Sequence, residues 1–190
     1  MAISREAYKV LESIVGPEYI SEDPVDCYAY RCGPGGYETD TGFARTMTKI
    51  AGAIIMPKTT EEVQKIVKAC NRYTVPYVPW STGFFGPRSF PYVEDAIIID
   101  LKRMDKLEID DKHMYAIVEP GVIASQLQAE ALKRGLYIVV GGGGSQVSIV
   151  ANTIGDGWSP LSYRIGTIER RMLGMEWVLP DGELLRTGSI

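Results

Sequence analysis

The chain has 190 residues, 45% of them hydrophobic and 23% charged, and its formal net charge is −4 at pH 7. This is the composition of an ordinary globular protein, and the negative balance argues against nucleic acid as a partner. There is no run of about 18 apolar residues and no signal-peptide pattern, so we expect no membrane span and a cytoplasmic protein. One histidine and three irregularly spaced cysteines do not supply a hydrolase triad or a zinc site, so we expect no metal and assign the demanding chemistry to a cofactor.

The N-terminal segment, 1–47, is predicted to hold one helix and an irregular arm. The helix covers 4–15, where apolar residues recur at helical spacing, Ser4 can cap the start and Gly16 can end it. Residues 17–47 are rich in Gly, Asp and Tyr without a sustained period, which predicts no regular structure there.

The main domain is predicted over 48–190 and begins with an apolar strand at 50–56. A capping box formed by Thr59 and Glu62 then opens a helix. The next strand, at 75–80, contains two prolines, which confine it to a sheet edge or a strand end.

The middle of this domain is predicted to contain three strands and one helix. The strands are apolar runs at 96–101, 115–119 and 136–140. The helix opens on a second capping box, Ser125 with Gln128.

The last predicted element is a β-hairpin, because strand-like runs at 172–179 and 183–187 flank the turn signal Pro180-Asp181-Gly182. Strands mixed with a few helices indicate an α+β fold rather than a regular βαβ array.

Three loops in this domain, 81–86, 141–145 and 152–157, share one physical character, because each combines glycines with Ser, Thr or Asn. Glycine admits backbone conformations closed to other residues and lets a ligand approach the main chain, so that amide groups can form an anion site. Any one loop is also explained as a tight turn. Four consecutive glycines exceed what a turn needs, and three such loops favour a bound pyrophosphate. No P-loop motif is present, and a Rossmann site fits poorly since Gln146 stands where its third glycine belongs.

Five blocks along the chain carry a family resemblance. They read PKTTEEVQ at 57–64, STGFFG at 81–86, VEPGV at 118–122, SIVANT at 148–153 and LGMEWVLPDGELLRTG at 173–188. In this order they resemble the P-x-T-x-E-E-V-Q, S-T-G-R-N-F-G, VEPGV, S-x-x-G-N-T and SGMEVVLANGELLRTG motifs of the FAD-binding domain in the vanillyl-alcohol oxidase and p-cresol methylhydroxylase (PCMH-type) flavoprotein family.

That resemblance implies a two-lobed α+β fold with FAD held between the lobes. The diphosphate would lie on 81–86, the ribityl chain and isoalloxazine would lie beside 142–145 and 152–157, and the adenosine would lie along 176–178. The implied cofactor-binding residues are Pro79, Trp80, Ser81, Thr82, Gly83, Phe84, Phe85, Gly86, Gly121, Gly142, Gly143, Gly144, Ser145, Ser148, Asn152, Thr153, Gly155, Gly157, Glu176 and Val178.

Some positions depart from the family pattern. Phe84 stands where the aromatic-alcohol branch has Arg, and the valines at 139–140 stand where an acid often precedes the glycine run. The stretch 161–164 replaces the family's Y-G-D-H. Within it, Tyr163 and Arg164 are catalytic candidates that could face a substrate carboxylate or phenol, and the alternative is an exposed loop pair.

The resemblance implies an FAD-dependent oxidoreductase, a dehydrogenase or an oxidase, that takes a hydride from a small-molecule alcohol, 2-hydroxy acid or alkylphenol onto flavin N5. The electrons would pass to an acceptor protein or to oxygen. An alternative is a non-catalytic FAD-binding electron-transfer subunit of a multi-subunit complex, and another is a domain for a different phosphorylated ligand. In the family a cap domain follows the FAD domain, so we expect the cap to be absent from this chain, the FAD domain to be incomplete at its C-terminus, and a possible second subunit to carry the cap.

Overall fold

The computed structural model describes residues 3–30, 49–83, 91–139, 143–155 and 157–188. The chain divides into two compact lobes. The first lobe comprises Met1–Arg103 with Glu176–Arg186, and the second comprises Met104–Met175 with Thr187–Ile190.

The first lobe is a four-stranded mixed sheet with helices. Its helices are α1 (Arg5–Val15), α2 (Pro24–Ala29) and α3 (Thr60–Tyr73), and 3-10 turns lie at Pro17–Tyr19 and Leu101–Arg103. Its strands are β1 (Ile20–Ser21), β2 (Ala53–Ile55), β3 (Tyr77–Trp80) and β4 (Ile97–Asp100). The strand order is β1-β2-β4-β3, with β2, β4 and β3 parallel and β1 antiparallel to β2. The proline-containing strand β3 lies at an edge, as predicted.

Local sequence explains the two long helices of this lobe. Ser4 Oγ accepts a hydrogen bond from Ala7 N (3.2 Å) at the start of α1, and Gly16 ends the helix at φ 91°. Thr59 Oγ1 caps α3 by accepting from Glu62 N at 3.2 Å. Apolar faces of both helices pack on the sheet, and the shared core contains Leu11, Val15, Ile55, Ile66, Val67, Cys70, Ile97 and Ile99.

The prediction of an irregular arm was wrong for residues 17–29, which form a 3-10 turn, β1 and α2. Strand β1 has two residues and exists because Ile20 pairs with Ile55, a long-range contact that leaves no period in the sequence. Helix α2 does have a local signal, since Asp23 Oδ1 accepts from Val25 N (2.7 Å) and Pro24 follows it. Residues 31–47 of the predicted arm lie outside the described part.

The second lobe combines a hairpin with short helices. Strands β5 (Leu107–Asp110) and β6 (Tyr115–Val118) are antiparallel, and α4 (Ala124–Leu132), α5 (Ile149–Ile154) and α6 (Ser162–Ile165) follow, with a 3-10 turn at Ile168–Arg171. Its buried apolar residues include Met104, Val122, Ala124, Leu127, Ala131 and Val147. The predicted C-terminal hairpin is confirmed as β7 (Gly174–Val178) and β8 (Leu184–Gly188).

Two predictions in the second lobe were wrong. Helix α4 begins before Ser125, because the Gln126 side chain accepts from Ile123 N at 3.0 Å and forms the cap there. Residues 136–139 form no strand, since Leu136 N donates to Ala131 O (3.0 Å) and so belongs to the end of α4. Val140 lies outside the described residues.

Across the described ranges, no helix combines the length and the apolar content that crossing a bilayer requires.

Candidate FAD-binding site

The first lobe carries its part of the predicted site where β3 ends. Trp80, the last residue of β3, is paired in register with Asp100 of β4 and is 7% exposed. Its ring lies 5.4 Å from the Tyr30 ring, at an interplanar angle of 59°. The predicted diphosphate loop starts at the next residue. The end of β3 and the buried Trp80 indole therefore fix where that loop begins.

Gly83 is the position of this loop where glycine is required. Its φ is 63°, and a Cβ there would lie 1.9 Å from Trp80 Cζ2. The loop therefore turns directly against the indole, which only a residue without a side chain allows. Phe84, Phe85 and Gly86 lie outside the described residues.

A buried carboxylate stands beside this loop. Asp100 is fully buried, and Tyr30 Oη donates a hydrogen bond to it while Lys102 Nζ lies 2.7 Å from its Oδ2. Lys102 Nζ also donates to Tyr30 Oη at 2.7 Å. Burial, together with the bond to Asp100, raises the pKa of Tyr30 to about 12, so the phenol is neutral at physiological pH. Burial alone would lower the pKa of Lys102, but its bonds to Asp100 and Tyr30 raise it.

Glu176 and Val178, predicted to lie along the adenosine, belong to β7. The Glu176 carboxylate accepts from Thr60 Oγ1 (3.2 Å) and from Arg186 Nε (2.8 Å), so both of its oxygens are already bonded within the lobe. Val178 packs against the core of the first lobe.

The hairpin turn that follows β7 is held on α3. Gln64 Nε2 donates to Gly182 O at 2.9 Å, and Asn71 Nδ2 donates to Pro180 O at 2.7 Å. These bonds fix the position of β7 relative to α3.

In the second lobe, the predicted site positions Ser145, Ser148 and Asn152 fall in one hydrogen-bonded cluster, whereas Gly121 N donates to Met104 O at 2.7 Å. Ser148 Oγ donates to Pro120 O (2.7 Å) and accepts from Ala151 N (3.2 Å), which joins the loop before α4 to the first turn of α5. Ser125 N donates to Ser145 O at 2.9 Å, and Asn152 N donates to Ser148 O at 2.9 Å. Segments separated by more than twenty residues in the sequence thus meet around Ser148.

Gly143 and Gly144 are the described residues of the glycine run, and they directly precede Ser145 of this cluster. Gly144 has φ 95°, which favours glycine, while an added Cβ would meet only the flexible end of Gln146 at 3.4 Å. Conformation, and not space, therefore requires glycine at 144. Gly142 lies outside the described residues.

The loop after α5 curls closely over the end of that helix. A Cβ on Gly157 would lie 2.2 Å from Asn152 Oδ1, and one on Gly155 would lie 3.0 Å from Ala151 O. Thr153 Oγ1 donates to Ile149 O at 2.8 Å, so this hydroxyl is used within the helix. Asn152 is 8% exposed, and its Oδ1 has no hydrogen-bond partner among the described residues.

The described residues fit FAD. A dinucleotide needs close approach to the main chain, and at Gly144 the main chain is open, because an added Cβ would meet only the flexible end of Gln146 at 3.4 Å. No group of three or more metal-ligating side chains occurs within the part of the chain that the structure describes.

The catalytic candidates Tyr163 and Arg164 lie on the short helix α6. The Tyr163 residue is 92% exposed, and Arg164 is also exposed. In the described portion of the chain, neither side chain has a bonding partner. Trp158 is 70% exposed, so it does not belong to the core of its lobe.

Comparison with known proteins agrees with this geometry. A family model described as an FAD binding domain matches residues 51–188. A glycolate oxidase subunit of Bacillus subtilis is 25% identical over 98% of this chain and 38% of its own length. The flavoprotein subunit of 4-cresol dehydrogenase (hydroxylating) from Pseudomonas putida is 33% identical over 72% of this chain and 27% of its own length.

Among solved structures, 4-ethylphenol oxidase from Gulosibacter chungangensis superposes with a TM-score of 0.78 at 29% identity, over 98% of this chain and 36% of that one. The chain thus spans between 27% and 38% of the length of these proteins. The α+β fold and FAD as the cofactor, both expected from the sequence, are confirmed. The chain belongs to the FAD-binding domain family of the vanillyl-alcohol oxidase and p-cresol methylhydroxylase flavoproteins.

Proposed function

We propose that the protein is an FAD-dependent oxidoreductase, a dehydrogenase or an oxidase, that acts on an alcohol, a 2-hydroxy acid or an alkylphenol. The observation that carries the proposal is the FAD-binding domain match over 51–188, where glycine positions with no room for a side chain lie in the loops expected to hold the cofactor. By their names, the relatives act on glycolate, 4-cresol and 4-ethylphenol, which span the proposed substrate classes.

The domain 48–190 would bind and orient the cofactor. In the first lobe, 79–86 would hold the diphosphate through main-chain amides, and 176–178 would lie along the adenosine. In the second lobe, Gly121, 142–148 and 152–157 would hold the ribityl chain and isoalloxazine. When bound, FAD supplies the acceptor for a hydride at N5.

The substrate side of the proposal concerns Tyr163 and Arg164. A guanidinium binds a carboxylate through two parallel hydrogen bonds, and a phenol can donate a further one, so this pair suits the carboxylate of a 2-hydroxy acid. Both side chains are exposed in this chain, which leaves them free to meet a small-molecule substrate. Electrons would leave to an acceptor protein or to oxygen, and a second subunit carrying a cap domain is a possible partner.

The test begins with purified chain incubated with FAD and freed of unbound cofactor. We expect retained yellow flavin and a higher unfolding temperature, since a ligand at a hundredfold excess over its Kd stabilises the native state by about 2.7 kcal/mol. Glycolate, D-lactate, 4-cresol and 4-ethylphenol are then supplied with an artificial dye acceptor. Bleaching of the flavin by one of these substrates supports the assignment. The Arg164→Met variant should then show a higher KM for the hydroxy acids only. A chain that takes up no FAD contradicts the proposal.

A second candidate is a non-catalytic FAD-binding electron-transfer subunit. It is favoured by Tyr163 and Arg164, which no other described side chain holds in a fixed position. The names of the relatives from B. subtilis and P. putida also identify them as subunits. Turnover of any substrate by the chain alone excludes this candidate, whereas bound flavin that exchanges electrons only with redox dyes supports it.

A further inference from the structure

The hairpin of β5 and β6 in the second lobe leaves its strand edges unpaired. Within the described residues this sheet has two strands, and no third strand joins either of them. All eight residues of the two strands are half-buried or exposed, whereas the four residues of β4 in the first lobe are all buried. An unpaired strand edge presents a row of N–H and C=O groups and so serves as a template for a further strand.

The register of the hairpin shows which main-chain groups of β5 point away from β6. Glu119 N donates to Lys106 O at 3.0 Å, and Leu107 is paired with Val118 at the next position. In an antiparallel pair, positions that are hydrogen-bonded to the partner alternate with positions that are not. The N–H and C=O groups of Leu107 and Ile109 therefore face outward, where an added strand can bond to them.

A cavity lies beside this outer edge. Its volume is about 320 Å³, and it is lined by Asp105, Leu107, Val122, Gln126, Ala129 and Glu130. No described residue of β6 contributes to this lining, so the cavity lies on the β5 side of the hairpin, between that strand and α4. Alternate side chains of a strand point to the same face. Every second side chain of a strand paired with β5 would therefore enter the cavity, where Leu107, Val122 and Ala129 supply apolar contacts.

The charge along the β5 edge indicates what such a strand carries. Residues 105–110 contain three carboxylates and one lysine. Asp105 and Glu108 are exposed and form no ion pair with another described residue, whereas Glu130 already pairs with two basic residues that follow it. A basic strand therefore matches this edge. A second copy of the same edge does not, because it would set like charges opposite one another.

We propose that the outer edge of β5 binds an extended segment of a partner polypeptide by strand addition. The segment pairs with the main chain at Leu107 and Ile109, places apolar side chains against α4 and carries basic residues that face Asp105 and Glu108. Main-chain bonds give complexes of this kind their affinity, and pockets for alternate side chains give them specificity. This inference goes beyond the proposed function and does not depend on bound FAD.

The probe is a short synthetic peptide in which valine alternates with lysine, acetylated and amidated at its ends. Its titration into the purified full chain is followed by NMR. We expect saturable binding and slower hydrogen exchange at the amides of Leu107 and Ile109. The outward amides of β6, at Ala116 and Val118, should keep their exchange rates and serve as an internal control. A peptide with glutamate in place of lysine should bind about tenfold more weakly.

N-methylated versions of the peptide test the main-chain pairing. Methylation of every second residue removes the N–H groups on one edge of the peptide strand only. Two such peptides, methylated in the two alternating registers, should therefore differ. One should bind about as well as the unmethylated peptide, and the other about tenfold more weakly.

Two pairs of variants test the cavity and the charge. Ala129→Arg fills the cavity and should weaken peptide binding about tenfold, while Leu132→Arg, at an exposed position of α4 outside the lining, should bind like wild type. Asp105→Lys should weaken binding about fivefold. Asp111→Lys makes the same change of charge in the hairpin turn and should alter binding about twofold or less.

Absence of binding of the basic peptide, or equal binding of the two methylated peptides, would overturn the proposal. Exchange protection at Ala116 and Val118 in place of Leu107 and Ile109 would overturn it as well, because the pairing would then be with β6. Sedimentation of the chain alone tests for a second copy, since a dimer that the peptide dissociates would replace the separate partner by another copy of this chain. All of these measurements are made without FAD, so a chain that binds the peptide but no FAD refutes the proposed function and leaves this inference standing.

Discussion

Replacing Gly83 by alanine should destabilise the protein more than replacing Gly135, although the two glycines have nearly the same backbone conformation. Their φ angles are 63° and 70°. An alanine in this left-handed region costs about 1–2 kcal/mol at either position. At Gly135 an added Cβ has no atom within 4 Å, so that conformational cost is the whole expected effect.

At Gly83 a second cost is added. The new Cβ would lie 1.9 Å from Trp80 Cζ2 and 2.5 Å from Cε2, so the indole must move. Trp80 is 7% exposed and packs on Tyr30, which leaves it little room. Overpacking of this kind costs about 1–3 kcal/mol. We therefore expect a loss of about 2–5 kcal/mol for Gly83→Ala against about 1–2 kcal/mol for Gly135→Ala.

Urea unfolding followed by circular dichroism and tryptophan fluorescence measures both losses. Trp158 and Trp177 are 70% and 36% exposed, so the most blue-shifted emission reports on Trp80. In a Trp80→Leu background the cost of Gly83→Ala should fall to that of Gly135→Ala. Equal losses for the two glycine variants, or no relief in the Trp80→Leu background, would refute the reasoning.

Three other outcomes follow from the first lobe. Tyr30→Phe removes a donor from the buried Asp100 carboxylate and should lower stability at neutral pH by about 1–3 kcal/mol. The fold raises the pKa of Tyr30 from 10.0 to about 12, so above about pH 10 the folded wild type retains the proton while the unfolded chain loses it. Wild-type stability therefore falls above about pH 10, and the difference in unfolding free energy between wild type and Tyr30→Phe narrows. Urea titrations in which that difference widens with pH would contradict this. Burial raises the pKa of the Cys70 thiol to about 12, so iodoacetamide at mildly alkaline pH should label it only after unfolding, and equal labelling rates with and without urea would be incompatible with its burial. Asn71→Leu removes the bond to Pro180 O and should cost about 1 kcal/mol and speed hydrogen exchange in the hairpin turn, with an unchanged exchange pattern as the contrary result.

The elements that could be predicted from the sequence are those set by local residues. Pro76 and Pro79 place β3 at an edge because proline cannot donate to a neighbouring strand. The turn 180–182 specifies the C-terminal hairpin, and Ser4 begins α1. Strand β1 was missed because two residues carry no period and depend on pairing with β2.

The wrong prediction of a strand at 136–140 has a different cause. A short apolar run is equally consistent with a strand and with the buried end of a helix, and Leu136 closes α4 through Ala131 O. Similarly, the α4 cap uses Gln126 because the helix starts where Ile123 N needs an acceptor, which the spacing of Ser125 and Gln128 does not reveal.

For the candidate site, the sequence identifies where the backbone must be open but not what surrounds it. Glycine content and family motifs predict the loops that contain Gly83 and Gly157. The contact of Tyr30 with Asp100 joins residues 70 positions apart, so no local sequence pattern predicts it. The vacant acceptor of Asn152 is likewise a property of packing, since it depends on which neighbouring groups are already bonded.

The central claim, that this chain holds FAD, is tested most directly by equilibrium dialysis of the purified chain against FAD, with ADP in a parallel arm. We expect one FAD per chain, bound far more tightly than ADP, because residues around Ser148 and Asn152 are proposed to contact the flavin half. Failure to retain any flavin, or equal affinities for FAD and ADP, would contradict the account.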